Sequence, residues 1–307
     1  MLDYLLVRLH SLGDVVLASG TAVAMSQRGK VSFASRARYE PIVKRIPGNV
    51  ESIPLSGNWR ELRRIARNFS TVVDLQNNLT TRLAFAGRNV KRFHFSRRLR
   101  RKVLLGAGIV LPWRAEEYLN TWSPGGDPSP VLTRHATPEQ GSFTVGIVAG
   151  GRWPMKTVPA GVVTELARLF TDIEGAKVLI MGDSEDSTLA EHIVEQCGYR
   201  DVRSIAGEGG ISQLISRIER LDLLISPDSG PAHIAMALGV PVQVIFTSTS
   251  PALGFWPNNF KGAFMVDPVP CRPCHRHGGK KCATGSEQCR RMIVPRDVFQ
   301  EAMCLVP

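Results

Sequence analysis

The stretch DLLISPDSGPAHIAMALGVPVQVIF, residues 222–246, encodes a strand, a tight turn, a helix and a second strand. DLLIS is a short apolar run typical of a buried strand, and PVQVIF is another. Between them, GPAHIAMAL predicts a helix, with a proline suited to its first turn. A strand–helix–strand order of this kind is typical of parallel strands in one sheet. The stretch therefore predicts an α/β fold built on a doubly wound parallel sheet.

The turn inside this stretch has the composition of an anion-binding site. Ser229 or Gly230 is predicted to cap the helix, whose first N–H groups and positive dipole end suit a phosphate. Gly230 also lets a ligand approach the backbone closely. The residues alone fit equally well with Asp228 and Ser229 acting as helix caps and nothing more.

The same alternation of strands and helices extends over the rest of the chain, with one interruption. Residues 126–142 are rich in Pro, Gly and Ser, which predicts a linker. We therefore expect two Rossmann-like domains, 1–125 and 143–307, with a cleft between them. The other predicted strands are 3–9, 31–35, 71–76, 90–95, 143–149 and 176–181, and the other predicted helices are 15–27, 59–69, 159–172 and 211–221.

Two further loops follow predicted strands of the second domain, where ligands of open α/β sheets bind. AGGRWPMKT (149–157) supplies Gly150 and Gly151 for the turn and two cations, Arg152 and Lys156, that could reach a diphosphate. It could equally be an ordinary glycine turn with solvated cations. MGDSED (181–186) offers an acidic side chain to ribose hydroxyls, although acidic residues also favour helix N-termini.

A single carboxylate, Asp14, lies in HSLGDV (10–15), directly after the first predicted strand. Taken on the residues alone, Asp14 on a glycine turn is better explained as a helix cap than as a functional group.

The positive charge is concentrated in the first half of the chain. The net charge is +11; residues 1–142 carry 22 Lys and Arg against 10 acidic residues, and residues 143–307 carry 16 against 17. The densest clusters are 59–69 and 91–102. Such a field favours an anionic partner: nucleic acid, anionic lipid, or a phosphorylated or acidic glycan. A well-solvated basic surface is the alternative for either cluster.

Four cysteines lie within residues 271–289, spaced C-x2-C-x7-C-x6-C. The first pair has the spacing of zinc ligands, and Cys271, Cys274, Cys282 and Cys289 together predict a structural Zn²⁺ site. A disulfide or free thiols are the alternatives.

Composition and absent motifs exclude several classes. Hydrophobic residues make up 43% and charged residues 21% of the chain, which is typical of a soluble globular protein. Charges interrupt the apolar N-terminal residues, and we expect a cytoplasmic protein with reduced thiols and no membrane span. The sequence contains no P-loop, no G-x-G-x-x-G, no G-x-S-x-G and no Asp-x-Asp pair of the kind that holds Mg²⁺ on a diphosphate.

Three segments carry a resemblance to a known family: LLVRLHSLGDVVLASG, GGRWPMKTVP, and DLLISPDSGPAHIAMALGVPVQVIFTSTSPALGFWP. They resemble glycosyltransferase family 9, the ADP-heptose:lipopolysaccharide heptosyltransferases. The resemblance implies a GT-B fold with the acceptor on the first domain and the nucleotide sugar on the second. It also implies inverting transfer of heptose from ADP-heptose to a lipopolysaccharide core or related glycan, with no metal required for the chemistry.

The resemblance also implies roles for individual residues. Asp14 matches the family's catalytic aspartate and would be the general base. Lys156 matches a lysine that neutralises the leaving diphosphate, and Asp228 matches an aspartate that contacts the sugar. The other donor-binding residues implied are Gly150, Gly151, Arg152, Glu185, Asp186, Ser229, Gly230 and His233.

The basic first domain would then face an anionic glycolipid acceptor, and the enzyme would lie peripherally on the inner membrane. Two alternatives remain open on the sequence. One is a GT-B enzyme with a different nucleotide sugar, such as another transferase or an epimerase. The other is a basic, cysteine-rich nucleic-acid-binding module. If the resemblance to family 9 holds, no nucleic-acid partner is expected.

Overall fold

The computed structural model describes residues 3–306, which divide into two compact units. The first unit extends to Ser96 and includes Pro112–Arg134; the second consists of Arg97–Leu111 and the chain from His135 onward. The boundary between the two units at Arg134 lies inside the predicted linker, residues 126–142. Residues 97–111, which the sequence assigns to the N-terminal domain, pack with the second unit instead.

Between residues 3 and 134 the chain forms five strands and seven α-helices. The strands are β1 (Asp3–Val7), β2 (Lys30–Arg36), β3 (Val50–Leu55), β4 (Thr71–Asp74) and β5 (Lys91–Arg92). The helices are α1 (Leu12–Leu17), α2 (Ser19–Ser26), α3 (Glu40–Val43), α4 (Trp59–Ala66), α5 (Leu79–Ala84), α6 (Arg97–Leu104) and α7 (Arg114–Trp122).

From residue 135 to residue 306 the chain forms six strands and six α-helices. The strands are β6 (Thr144–Val148), β7 (Lys177–Met181), β8 (Val202–Ser204), β9 (Leu223–Pro227), β10 (Val242–Ile245) and β11 (Ala263–Phe264). The helices are α8 (Ala160–Glu174), α9 (Ser187–Cys197), α10 (Ile211–Ile218), α11 (Gly230–Leu238), α12 (Gln288–Arg291) and α13 (Pro295–Met303).

Both sheets are parallel and doubly wound, as the sequence predicts. The strand order is β3-β2-β1-β4-β5 in the first unit and β11-β10-β9-β6-β7-β8 in the second. The central strands are apolar along their length because helices cover both faces: β9 is buried at every position and β1 from Tyr4 onward. In each sheet, the order reverses beside the first strand, so the loops after β1 and β6 lie at the switch point where ligands of such sheets bind.

The register of the first sheet brings the ends of β1 and β4 side by side. Val7, the last residue of β1, pairs with Asp74, the last residue of β4. The two loops that follow therefore leave the same edge of the sheet side by side.

Some local boundaries differ from the sequence prediction. The helix predicted at 15–27 begins at Leu12 and is divided into α1 and α2, so Gly13 and Asp14 lie in its first turn. The positive φ of the connecting turn, 71°, falls on Ser11 rather than on the glycine. Strand β3 and helices α5 to α7 are not among the elements predicted from the sequence. No helix among residues 3–306 combines the length and apolarity that a bilayer span requires.

Candidate active site

The N-terminus of α11 forms one side of the site in the second unit. β9 ends at Pro227, Ser229 is extended, and the helix begins at Gly230 with Pro231 in its first turn. The Ser229 hydroxyl makes a 2.8 Å hydrogen bond with the Ser226 hydroxyl, and its side chain makes no cap hydrogen bond. The Ser229 side chain therefore leaves the first N–H groups of α11 uncapped, as an anion site at a helix N-terminus requires.

Asp228 is buried beside this turn, and its carboxylate is held by three donors. Lys156 Nζ lies 2.8 Å from Oδ2, the Thr249 hydroxyl donates to Oδ2 at 2.9 Å, and the Trp256 indole N–H donates to Oδ1 at 2.8 Å. Burial opposes ionisation, but the charge and hydrogen bond of Lys156 and the hydrogen bond of Trp256 outweigh it and lower the pKa of Asp228 to about 2. Both carboxylate oxygens thus have partners: Oδ2 holds Lys156, and Oδ1 accepts from Trp256.

Trp256 connects this carboxylate to His233. The Trp256 indole is completely buried and stacks on the imidazole of His233, with ring centroids 4.3 Å apart and planes at 14°. His233 is itself buried in α11. The stack packs α11 against the loop that contains Trp256.

Lys156 ends a short 3₁₀ turn, Pro154–Lys156, that is fastened on two sides. The Met155 N–H donates to the carbonyl of Gly279 at 3.0 Å, and the Thr247 hydroxyl donates to the Met155 carbonyl at 2.8 Å. The side chain of Lys156 is 18% exposed, so the ammonium group is fixed by Asp228 yet reaches the surface.

Gly278 packs directly on the stem of Lys156. A Cβ atom at Gly278 would lie 2.5 Å from Cγ of Lys156 and 2.8 Å from Cβ of Trp153, and its φ is +91°. Only glycine fits there, because a side chain would both clash and strain the backbone. The cysteine-rich segment 271–289 therefore packs against the loop that carries Lys156 and fixes the position of its side chain.

The Asp186 side chain packs directly against the glycine loop that follows β6. A Cβ atom on Gly150 would overlap the Asp186 carboxyl group, which also accepts a hydrogen bond from the Asp183 N–H at 3.0 Å. Burial raises the pKa of Asp186, although hydrogen bonds from the backbone of Asp183 and Gly151 oppose the rise. Glu185, by contrast, is exposed. The structure thus brings the loops at 149–157 and 181–186 together.

Arg152 is exposed and lies over the ring of Trp153, 5.5 Å from its centroid. Unlike Lys156, it extends from the rim of the loop.

Asp14 lies in the first unit and is held by two side chains. Arg8 makes a 2.7 Å salt bridge to Oδ2, and the Tyr118 hydroxyl donates to Oδ1 at 2.8 Å. Arg8 in turn donates to the Leu75 carbonyl at 2.8 Å, and burial raises the pKa of Tyr118, so the phenol remains a donor. The N-cap position of α1 is Ser11, and Asp14 lies in the first turn of the helix, so Asp14 is not the cap residue that the residues alone favoured.

Sequence reasoning missed the residues that fix both carboxylates. Arg8 carried a signal, because a charged residue in an otherwise apolar strand must find a partner when buried. Tyr118 is 104 positions from Asp14, and Trp256 is 28 positions from Asp228, with no local signal of either contact.

The four cysteines of 271–289 are free thiols that influence one another. Burial and the neighbouring Cys274 and Cys271 raise the pKa of Cys289 to about 11. Hydrogen bonds from Thr284 and the Glu287 backbone lower the pKa of Cys282 to about 7. No three His, Cys, Asp or Glu side chains of residues 3–306 are arranged to hold a metal ion. The thiols as placed do not fit Zn²⁺, and the predicted zinc site is not confirmed.

Two Rossmann-like units of this topology define the GT-B class of glycosyltransferases. Over the full length, the chain is similar to the E. coli ADP-heptose LPS heptosyltransferase II, with a TM-score of 0.72 and 20% identity, covering 100% of this chain and 98% of that one. The family 9 glycosyl transferase of Veillonella parvula gives a TM-score of 0.76 at 18% identity, covering 99% and 97%. The predicted GT-B fold is confirmed.

Sequence comparison identifies the family. Residues 131–280 match the model of glycosyltransferase family 9 (heptosyltransferase). The lipopolysaccharide core heptosyltransferase OpsX of Haemophilus influenzae is 40% identical over 63 residues, which are 20% of this chain and 18% of that relative's length. The predicted resemblance to glycosyltransferase family 9 is confirmed over residues 131–280, 150 of the 307 residues. This match favours a glycosyltransferase over the nucleic-acid-binding module.

Proposed function

We propose that this chain transfers heptose from ADP-heptose to a lipopolysaccharide core or related glycan, with inversion at the anomeric carbon. The observation that carries the proposal is the Lys156 ammonium, which Asp228 fixes at 2.8 Å beside the N-terminus of α11. A lysine and a helix N-terminus together suit a diphosphate leaving group. The names of the similar proteins support ADP-heptose as the donor and the lipopolysaccharide core as the acceptor.

In this mechanism Asp14 is the general base. Its carboxylate takes the proton of an acceptor hydroxyl while that oxygen attacks the anomeric carbon, and the bond from this carbon to the diphosphate oxygen breaks. Arg8 and Tyr118 position the carboxylate. General-base assistance is worth about 10²–10⁴-fold in rate.

Lys156 and the backbone N–H groups of Ser229 and Gly230 receive the negative charge of the departing ADP. We assign Asp228 to positioning Lys156, since its two oxygens are already bonded, in place of the sugar contact that the resemblance implied. Asp186 or Glu185 would hold the ribose, and Gly150, Gly151 and Arg152 would line the diphosphate. None of these steps uses a metal ion.

Thermal unfolding with ADP, GDP, UDP and CDP in turn tests the donor. A ligand that binds the native state raises the melting temperature. We expect the largest shift with ADP. A larger shift with another nucleotide would replace the donor, and no shift with any of them would overturn the proposal. Turnover of the nucleotide sugar without an acceptor would indicate an epimerase.

Two substitutions separate the roles of the units. Asp14→Asn is expected to lower transfer by about 10²–10⁴-fold and leave ADP affinity unchanged. Lys156→Gln is expected to weaken ADP binding by about tenfold or more, because a charge-assisted contact is lost. Lys177→Gln is the control, since Lys177 is 51% exposed and pairs with Glu139 at the surface. Equal effects of both lysine variants on ADP affinity would contradict the role of Lys156.

The acceptor is proposed to be an anionic glycolipid of the inner membrane, met by the basic first half of the chain. A structural zinc at Cys271, Cys274, Cys282 and Cys289 is a separate proposal, supported by the C-x2-C spacing of the first pair. Because the thiols as placed do not fit Zn²⁺, binding would require them to rearrange. Metal analysis of the purified protein tests it: one zinc per chain would support it, and none would leave free thiols.

A further inference from the structure

Helix α6 and the loop after it, residues 97–111, carry five cations and no acidic residue. We call these residues the α6 segment. Arg97, Arg98, Arg101 and Lys102 are exposed, whereas Arg100 and Val103 are buried. At about 100° per residue, the four exposed cations fall within an arc of about 140° on one side of the helix. One face of α6 is therefore continuously cationic.

The same segment exposes large apolar side chains. Leu105 is 73% exposed, Val110 53% and Leu99 40%. Between Leu105 and Val110 the chain is Gly-Ala-Gly-Ile, so the loop has no charged side chain. A cationic helix face beside exposed leucine and valine has the composition of a segment that lies at a membrane interface.

The other side of the segment is anchored in the second unit. Val103 and Leu111 pack on Leu253, and the Leu111 N–H donates to the Ala252 carbonyl at 2.9 Å. Arg100 lies over the ring of Phe255, 5.6 Å from its centroid. The segment is thus held in place by its buried face while the cations and the apolar loop remain exposed.

Cations alone do not distinguish α6. Helix α4 with its C-cap also carries four arginines: Arg60, Arg63, Arg64 and Arg67. However, α4 includes Glu61, and its apolar residues Leu62 and Ala66 are buried. A bilayer with anionic headgroups would use both properties of the α6 segment at once, whereas a soluble anion gives no reason to expose Leu105 and Val110.

We propose that the α6 segment binds the surface of an anionic lipid bilayer. Arg97, Arg98, Arg101 and Lys102 contact the lipid phosphates, and Leu105 and Val110 enter the boundary between headgroups and acyl chains. The inference deepens the membrane association suggested under the proposed function. Vesicle binding is measured without donor or acceptor, so it can fail independently of heptose transfer.

Sedimentation of the full chain with vesicles of phosphatidylcholine, with and without phosphatidylglycerol, tests the proposal. We expect binding to the anionic vesicles only, weakening as salt is added. Each cation near an anionic surface contributes about fivefold in partitioning. Replacing Arg97, Arg98, Arg101 and Lys102 together by glutamine should weaken binding by about 100-fold or more.

The matched charge control replaces Arg60, Arg63, Arg64 and Arg67 by glutamine. Both variants remove four of the charges that make up the net +11, so their long-range attraction falls equally. The α4 variant is expected to lose less than about fivefold, the contribution of about one surface contact. Equal losses in the two variants would overturn the proposal in favour of a diffuse charge effect.

A second pair of variants tests the apolar contact. The test variant combines Leu105→Ser and Val110→Ser and removes side chains that are 73% and 53% exposed. The control combines Leu79→Ser and Ile173→Ser, which lie outside the α6 segment and are exposed to the same two extents. The first pair should weaken vesicle binding about tenfold or more, since burial of each of these side chains from water is favourable, and the second pair should not. Three outcomes would refute the assignment. The two pairs of variants could bind vesicles equally well, or the protein could fail to bind anionic vesicles. The α6 segment could also be needed for binding RNA while the protein binds no vesicles.

Discussion

Replacing Asp228 by asparagine keeps the shape of the side chain and removes the charge that holds Lys156. The pKa of Asp228 is about 2 in the folded protein, against an ordinary value of 3.8. A depression of this size corresponds to about 2.5 kcal/mol of folding free energy near pH 7. We therefore expect Asp228→Asn to lower the free energy of unfolding by about 2.5 kcal/mol at neutral pH.

The pH dependence follows from the sign of the shift. Because the folded pKa is depressed, the stabilisation is fully present above about pH 4 and is lost as the pH falls towards 2. The difference between wild type and variant should therefore shrink to about 1.3 kcal/mol near pH 3.

Urea unfolding followed by tryptophan fluorescence at both pH values measures this difference. Asp201→Asn is the control, since Asp201 is exposed, and it should change the free energy of unfolding by less than about 0.5 kcal/mol. A difference that is the same at pH 3 and pH 7, or no destabilisation at all, would refute the reasoning, because the effect could not then arise from an ionised carboxylate.

Three further substitutions test the packing around the site and the core. Gly278→Ala should weaken ADP binding about tenfold or more by displacing the lysine beneath it, whereas Gly285→Ala, also at positive φ but with nothing within 4 Å, should leave titrated ADP affinity unchanged. Trp256→Phe should destabilise the fold by about 1.5–3 kcal/mol in urea unfolding, because the buried Asp228 carboxylate loses a donor; an effect below the control scatter would contradict that contact. Phe170→Ala should cost about 3–5 kcal/mol by leaving a cavity in the second core, and a loss under about 1 kcal/mol would mean that the core collapses around it.

The sequence by itself determined the fold class and the resemblance to a family. The periodicity of 222–246 predicts a strand, a turn and a helix because each depends on neighbouring residues: an apolar run, turn-forming residues and a proline near the start of the helix. The structure has β9 at Leu223–Pro227 and α11 at Gly230–Leu238, within two residues of the prediction. The resemblance to the family, which rests partly on this stretch, is confirmed over residues 131–280.

The sequence indicated candidate residues without their partners. Asp14 and Lys156 were singled out, but the groups that hold them, Tyr118 and the Asp228–Trp256 pair, are defined by contacts between distant parts of the chain. The role that we propose for Asp228 differs from the sugar contact implied by the resemblance for this reason: partners distant in the sequence occupy both of its oxygens.

Only the tertiary structure decided where the α6 segment belongs. Its charge pattern fits an anionic partner or a well-solvated basic surface, and its position in the chain assigns it to the first domain. In the structure, Val103 and Leu111 pack on Leu253 in the second unit. The physical reason is the same in each case. Local propensity and turn chemistry act over a few residues and can be read along the chain, whereas the burial of a charge or an apolar face depends on which distant element the fold brings against it.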